Sequence, residues 1–125
     1  LKVDANSLAN KSIASGRVAV FLYSNDIPFE ILTTGKEDGS RSVVPLVPFV
    51  VFVDDFNYFI ELDFIEGIGV VEIVISQSGS VIYSSSENIL SPLRKYLQLP
   101  FGVSGEYCIE IKGDNGAYVY GCFEL

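Results

Sequence analysis

The stretch Gly105–Leu125, GEYCIEIKGDNGAYVYGCFEL, reads as one β-hairpin whose turn sets the pairing of both strands. Asp114 and Asn115 suit the right-handed positions of a three-residue loop, and Gly116 suits the left-handed position that ends it. Gly113 then closes the loop against Ala117. Counting outward, Ile111 faces Val119, Ile109 faces Gly121 and Tyr107 faces Phe123, so the odd positions of both strands make one apolar face. The even positions make the other face, with Lys112 opposite Tyr118, Glu110 opposite Tyr120, and Cys108 opposite Cys122. With a hydrogen-bonded closing pair, the cysteines fall at a non-hydrogen-bonded pair, where Cα atoms lie about 4.5 Å apart. That separation is at the short edge of disulfide geometry. The pair therefore reads either as a disulfide that staples the last strand or as two half-buried thiols.

The rest of the chain continues this β pattern. Tyr58–Phe64 alternates, with Tyr58, Ile60, Leu62 and Phe64 inward and Phe59, Glu61 and Asp63 outward on a solvated face. After the turn at Glu66-Gly67-Ile68-Gly69, Val70–Ser76 sends Val71, Ile73 and Ile75 inward, and Gln77-Ser78-Gly79 leads into a short strand at Val81-Ile82-Tyr83. Ser84–Leu93, with its Ser-Ser-Ser-Glu-Asn run and Pro92, reads as a loop, and Leu97 and Leu99 hint at a strand before Pro100. Upstream, Arg17–Tyr23 and Pro28–Thr34 are β-rich runs separated by the turn cluster Ser24-Asn25-Asp26, and Gly35–Ser42 is a polar loop. Val43–Val53 is a buried strand with an irregular entrance. Residues 1–16 are polar and aperiodic, and read as a flexible arm ahead of a domain spanning 17–125.

Short strands at regular spacing with almost no helical periodicity predict an all-β, antiparallel β-sandwich of about seven strands. Its expected core is Ile60, Leu62, Phe64, Val71, Ile73, Ile75, Ile109, Ile111, Val119 and Phe123. A chain of 125 residues that is 49% hydrophobic is long enough for one such domain and too short for two comfortable ones.

Composition also bounds the partners. The net charge of -8, with eight scattered Lys and Arg, argues against a nucleic-acid surface. The longest apolar run, Val43–Val53, falls well short of the roughly 20 residues of a spanning helix and contains Pro45 and Pro48. There is no methionine, as after removal of a secretory signal peptide or after trimming, and the paired cysteines favour a secreted, periplasmic or cell-surface location.

The order of features from Val70 to Leu125 resembles a family of small secreted Bacteroidetes proteins of unknown function with an immunoglobulin-like β-sandwich fold. The features are VVEIVIS, Gln77-Ser78-Gly79, VIYSSS, a polar stretch, a leucine-bearing segment, Gly105-Glu106-Tyr107 and YVYGCFEL. Arg41-Ser42 ahead of Pro45 and the strand pair over Phe52–Phe64 extend the resemblance back to about Phe29. It implies an immunoglobulin-like fold and no established activity, and Cys108 and Cys122 stand where that family more usually has polar residues. The pattern is also similar to C-terminal sorting domains of a Bacteroidetes secretion system, although those end in basic residues and Cys122-Phe123-Glu124-Leu125 does not.

Elimination narrows the chemistry. Without histidine there is no Ser-His-Asp triad, Cys-His pair or histidine metal site, and two cysteines facing across a hairpin make neither a zinc knuckle nor a CxxC redox motif. No GxGxxG or P-loop is present. Glu61 and Asp63 are about 6.6 Å apart by strand rise, in the range used for glycoside hydrolysis, but alternate outward carboxylates are also how a solvated strand face looks. Asp54-Asp55 suits a turn, or calcium if further oxygens converge.

The expectation is a non-enzymatic binding module without a cofactor or metal, monomeric or weakly dimeric, whose unknown partner is a protein or a glycan. Its candidate ligand-facing strip is Tyr118, Tyr120, Glu110 and Lys112. A structural or sorting domain is one alternative. An immunoglobulin-like cysteine protease inhibitor is another, because Thr33-Thr34-Gly35 resembles part of the first inhibitory loop of such proteins, though their GxGG and Arg-Pro-aromatic motifs are missing.

Overall fold

The computed structural model describes residues 16–32 and 47–125, and every regular element in them is a β-strand. The strands are β1 (Arg17–Ala19), β2 (Tyr23–Ser24), β3 (Phe49–Asp54), β4 (Phe59–Phe64), β5 (Gly69–Gln77), β6 (Ser80–Ile89), β7 (Leu93–Gln98), β8 (Glu106–Gly113) and β9 (Tyr118–Glu124). They form two antiparallel sheets, of order β1-β3-β4-β7 and β2-β9-β8-β5-β6. The expected arm, apart from Gly16, lies outside the described residues, as do the loop over 35–42 and the triplet Thr33-Thr34-Gly35.

The C-terminal hairpin has the pairing its turn dictates. Gly113 donates to the Ala117 carbonyl at 2.9 Å, Gly116 takes φ 94°, and Ile111, Ile109, Tyr107 and Cys108 face Val119, Gly121, Phe123 and Cys122. Its apolar face joins those of β4 and β5 in the core, where Ile60, Leu62, Phe64, Val71, Ile73, Ile75, Ile109, Ile111 and Val119 are all buried. Phe123 is only partly buried, its ring stacked on the fully buried Tyr107 at 5.7 Å. The Tyr107 hydroxyl donates to the Val103 carbonyl at 2.5 Å, which satisfies the one polar group that this ring carries inside.

Four sequence expectations are corrected. About seven strands become nine among the described residues, mainly because the Arg17–Tyr23 run divides. Its first part pairs with β3 and its second with β9, so Val20–Leu22 crosses from one sheet to the other. That crossing lies directly over Gly121, where a Cβ would stand 2.7 Å from the Phe21 carbonyl oxygen and 2.8 Å from Leu22 Cδ2. Glycine is required there for the close approach. Over Pro28–Thr34, residues 28–32 form no strand. They are instead held at their two ends, Asn115 Nδ2 donating to the Pro28 carbonyl at 2.8 Å and the Leu32 amide to the Gly67 carbonyl at 2.8 Å. Ser84–Ile89, expected as a loop, completes the ten-residue β6 because β5 pairs with it over almost its full length.

The fourth correction concerns Glu61. Its outward face is not a solvated one, because Glu61 is 5% exposed.

The open side of the sandwich, where β6 and β7 are the edges, is closed by an ion pair. Glu87 shares a face with buried Val71, Lys95 shares one with buried Leu62, and the two meet between the sheets at 3.3 Å. Inward charge at an edge, together with the bulge at Ile75/Ser76, disfavours pairing with another chain.

Asp54 organises the β3–β4 turn. Its Oδ1 accepts from the amides of Phe56 (2.9 Å) and Asn57 (3.0 Å), and its Oδ2 from Asn57 Nδ2 (3.2 Å). These three bonds make the residue the cap of the turn. Burial alone would raise its pKa, but the bonds from Asn57 and Phe56 outweigh burial and hold it below the ordinary carboxylate value. The stabilisation is therefore present above the pKa of the unfolded chain and lost as pH falls through the folded one. Asp54→Ala is expected to cost about 1–3 kcal/mol at neutral pH. The difference from the parent should shrink in acid, and a difference that does not change with pH in denaturant titrations would contradict this role.

Candidate functional site

The sandwich has two outer faces with opposite characters. On the four-stranded sheet, cross-strand register places Phe52, Glu61 and Tyr96 in one row and Val50, Asp63 and Arg94 in the next. Arg17 reaches over from β1 and grips Glu61 with two parallel bonds of 3.1 Å, its guanidinium lying 3.8 Å over the Phe52 ring. Arg94 donates to Asp63 at 3.0 Å and lies 3.5 Å from Glu61. The bonds from Arg17 keep Glu61 below the usual carboxylate pKa, whereas burial and the neighbouring Glu61 push Asp63 up. The two carboxylates thus have unlike affinities for a proton, but each is occupied by an arginine. The face is neutralised from within.

The outer face of the five-stranded sheet is arranged differently. Register aligns Tyr23, Tyr120, Glu110, Val74 and Ser84 in one row across all five strands. Tyr118, Lys112, Glu72 and Ser86 form the next row. Tyr118, Tyr120, Glu110 and Lys112, the strip expected from the hairpin alone, therefore lie together on this face. Tyr118 and Glu110 are half-buried, and burial, followed by the adjacent Glu110, raises the Tyr118 pKa.

The structure adds two rings that the sequence reading missed. Tyr23 stacks on Tyr120 with centroids 5.2 Å apart and planes 25° apart, Phe21 meets the Tyr23 ring edge-on at 5.0 Å, and Tyr118 continues the series 6.0 Å beyond Tyr120. The result is a four-ring ladder, and Phe21, Tyr23 and Tyr120 remain 72%, 53% and 39% exposed. The alternation of Phe21 and Tyr23 was visible in the sequence, but their docking beside β9 depends on the sheet crossing. Phe21 and Tyr23 are more than half exposed, so the ladder is a contiguous aromatic patch at the surface.

Cys108 and Cys122 are joined by a disulfide on this same face, with Cα atoms 4.0 Å apart. Glu106 has a carboxylate oxygen within 4.8 Å of both sulfurs, but bonded sulfurs offer no thiolate to a metal. Among the described residues no helix is long and apolar enough to cross a membrane.

No family model matches the chain, and no curated protein matches it. Among solved structures, a DUF3244 family protein from Bacteroides vulgatus, described as having an immunoglobulin-like β-sandwich fold, matches with a TM-score of 0.62 and 19% sequence identity. The match covers 87% of this chain and 98% of that one. With the two packed antiparallel sheets, this likeness establishes the fold as an immunoglobulin-like β-sandwich, in agreement with the fold implied by the sequence resemblance.

Proposed function

We propose that this chain is a non-enzymatic binding module working outside the cytoplasm, and that the outer face of its five-stranded sheet is the binding face. The observation that carries this reading is the Phe21–Tyr23–Tyr120–Tyr118 ladder, an exposed row of rigid amphipathic rings of the kind that anchors interfaces. The contrast with the opposite face, where the charged groups are already paired, supports the choice of side. The location rests on the disulfide, a bond that persists in oxidising compartments.

The test is capture by the intact chain, with proteins and glycans of its native surroundings offered together. A Tyr120→Ala variant should stay folded, losing about 1 kcal/mol or less, because its ring is at the surface. It should also lose the captured partner by about tenfold or more. An identical set of partners for the parent and Tyr120→Ala would show that this face is not used.

A further inference from the structure

Beside the ladder lies a concave depression of about 520 Å³, lined by Val70, Glu72, Ser84, Ser86, Lys112 and Asp114 among others. Its volume falls within the range of small-molecule sites. Among the described residues, the side chains of Glu72, Ser84, Ser86, Lys112 and Asp114 make no hydrogen bond or ion pair with the rest of the protein. Two hydroxyls, two carboxylates and an ammonium therefore line one solvent-open hollow without being committed to partners in the protein. Lys112 is the direct cross-strand neighbour of Tyr118, so hollow and ladder are continuous. From β9 to β6 the face spans three strand spacings, about 14 Å.

We propose that this face binds a neutral oligosaccharide laid across the strands, its sugar C–H surfaces against the ladder and its hydroxyls in the hollow. The inference rests on the binding-face reading above and assigns its ligand class. Three observations select this occupant. The hollow mixes donors with acceptors, which suits hydroxyls that both give and accept hydrogen bonds. Glu72 and Lys112 sit opposite one another, Asp114 leaves the hollow with a single net negative charge, and this together with the chain's net charge of -8 opposes an anionic ligand. A protein partner needs an apolar interface core of substantial area or a free backbone edge. Here the rings flank a polar hollow, the backbone of β8 and β5 is already paired on both sides, and the one edge strand at the hollow, β6, carries the inward Glu87 that disfavours pairing with another chain.

The experiment is an array of neutral gluco-, manno-, xylo- and chito-oligosaccharides longer than disaccharides, probed with the intact chain and with folded Tyr120→Ala, Glu72→Ala, Glu72→Gln and Phe56→Ala variants. The expected result is retention of at least one oligosaccharide series. Its binding should weaken by about tenfold with Tyr120→Ala and with Glu72→Ala, be partly kept by Glu72→Gln, and be unchanged by Phe56→Ala in the distant β3–β4 turn. Loss with Tyr120→Ala alone would overturn the role of the hollow. If no oligosaccharide is retained while a protein is captured through Tyr120, the ligand assignment fails and the binding face stands. If neither is bound, both fail.

Discussion

Ile73→Ala is expected to destabilise the domain by about 2–5 kcal/mol. Ile73 is wholly inaccessible, sits in the middle of β5, and is flanked by Ile111 on one neighbouring strand and Ser85 on the other. Its side chain points into the layer between the sheets, where the surrounding residues Ile60, Leu62, Ile75 and Ile109 are equally buried and anchored in strands. Walls anchored in strands relax only partially into the space vacated, so a cavity term adds to the lost transfer energy. Small domains have only about 5–15 kcal/mol in total. The variant should therefore unfold at a much lower urea concentration with an unchanged slope. A loss below about 1 kcal/mol would mean that the site relaxes in a way that the observed packing does not allow.

Removal of the disulfide should have the next largest effect. The bridge links positions 14 residues apart, and in the chain-entropy account closing a loop of that size restricts the unfolded chain by about 3 kcal/mol. The Cys108→Ser/Cys122→Ser double variant should lose about 2–4 kcal/mol yet keep the same sheets. Gly113–Ala117, Ile111–Val119 and the mutual bonds of Gly105 and Leu125 fix the hairpin register independently of the sulfurs. Denaturation of the parent with and without a thiol reductant should reproduce the difference. Equal midpoints would show that the unfolded chain gains nothing from being released.

The two predictions concern features that were legible to different degrees. The hairpin could be read from sequence because turn residues and a period of two act locally and agree, and the inward faces of β4 and β5 followed from the same alternation. What escaped depends on contacts distant in sequence. Serines at 84–86 have loop propensity but become strand because β5 offers a full ladder. Glu61 looks like any outward carboxylate until Arg17, far along the chain, is laid beside it. Half of the aromatic ladder was visible in YVY at 118–120, and the other half arrives only when the first run changes sheets. The polar hollow is likewise a property of neighbouring strands, so no single segment announces it.

That change of sheets also bears on how the chain acquires its shape. β1 is bonded to β3 and β2 to β9, so the early segment completes the edges of both layers and is tied to the last strand by Tyr23 and Ser24 against Tyr120 and Val119. These are non-local pairings whose loop-closure cost falls due before their contacts form, a pattern associated with folding in milliseconds to seconds. Until β9 is in place, β2 has no strand to pair with, and the crossing at Val20–Leu22 has no Gly121 to lie upon. A chain interrupted before Tyr118 would therefore leave β2 without a partner strand and the aromatic ladder unfinished.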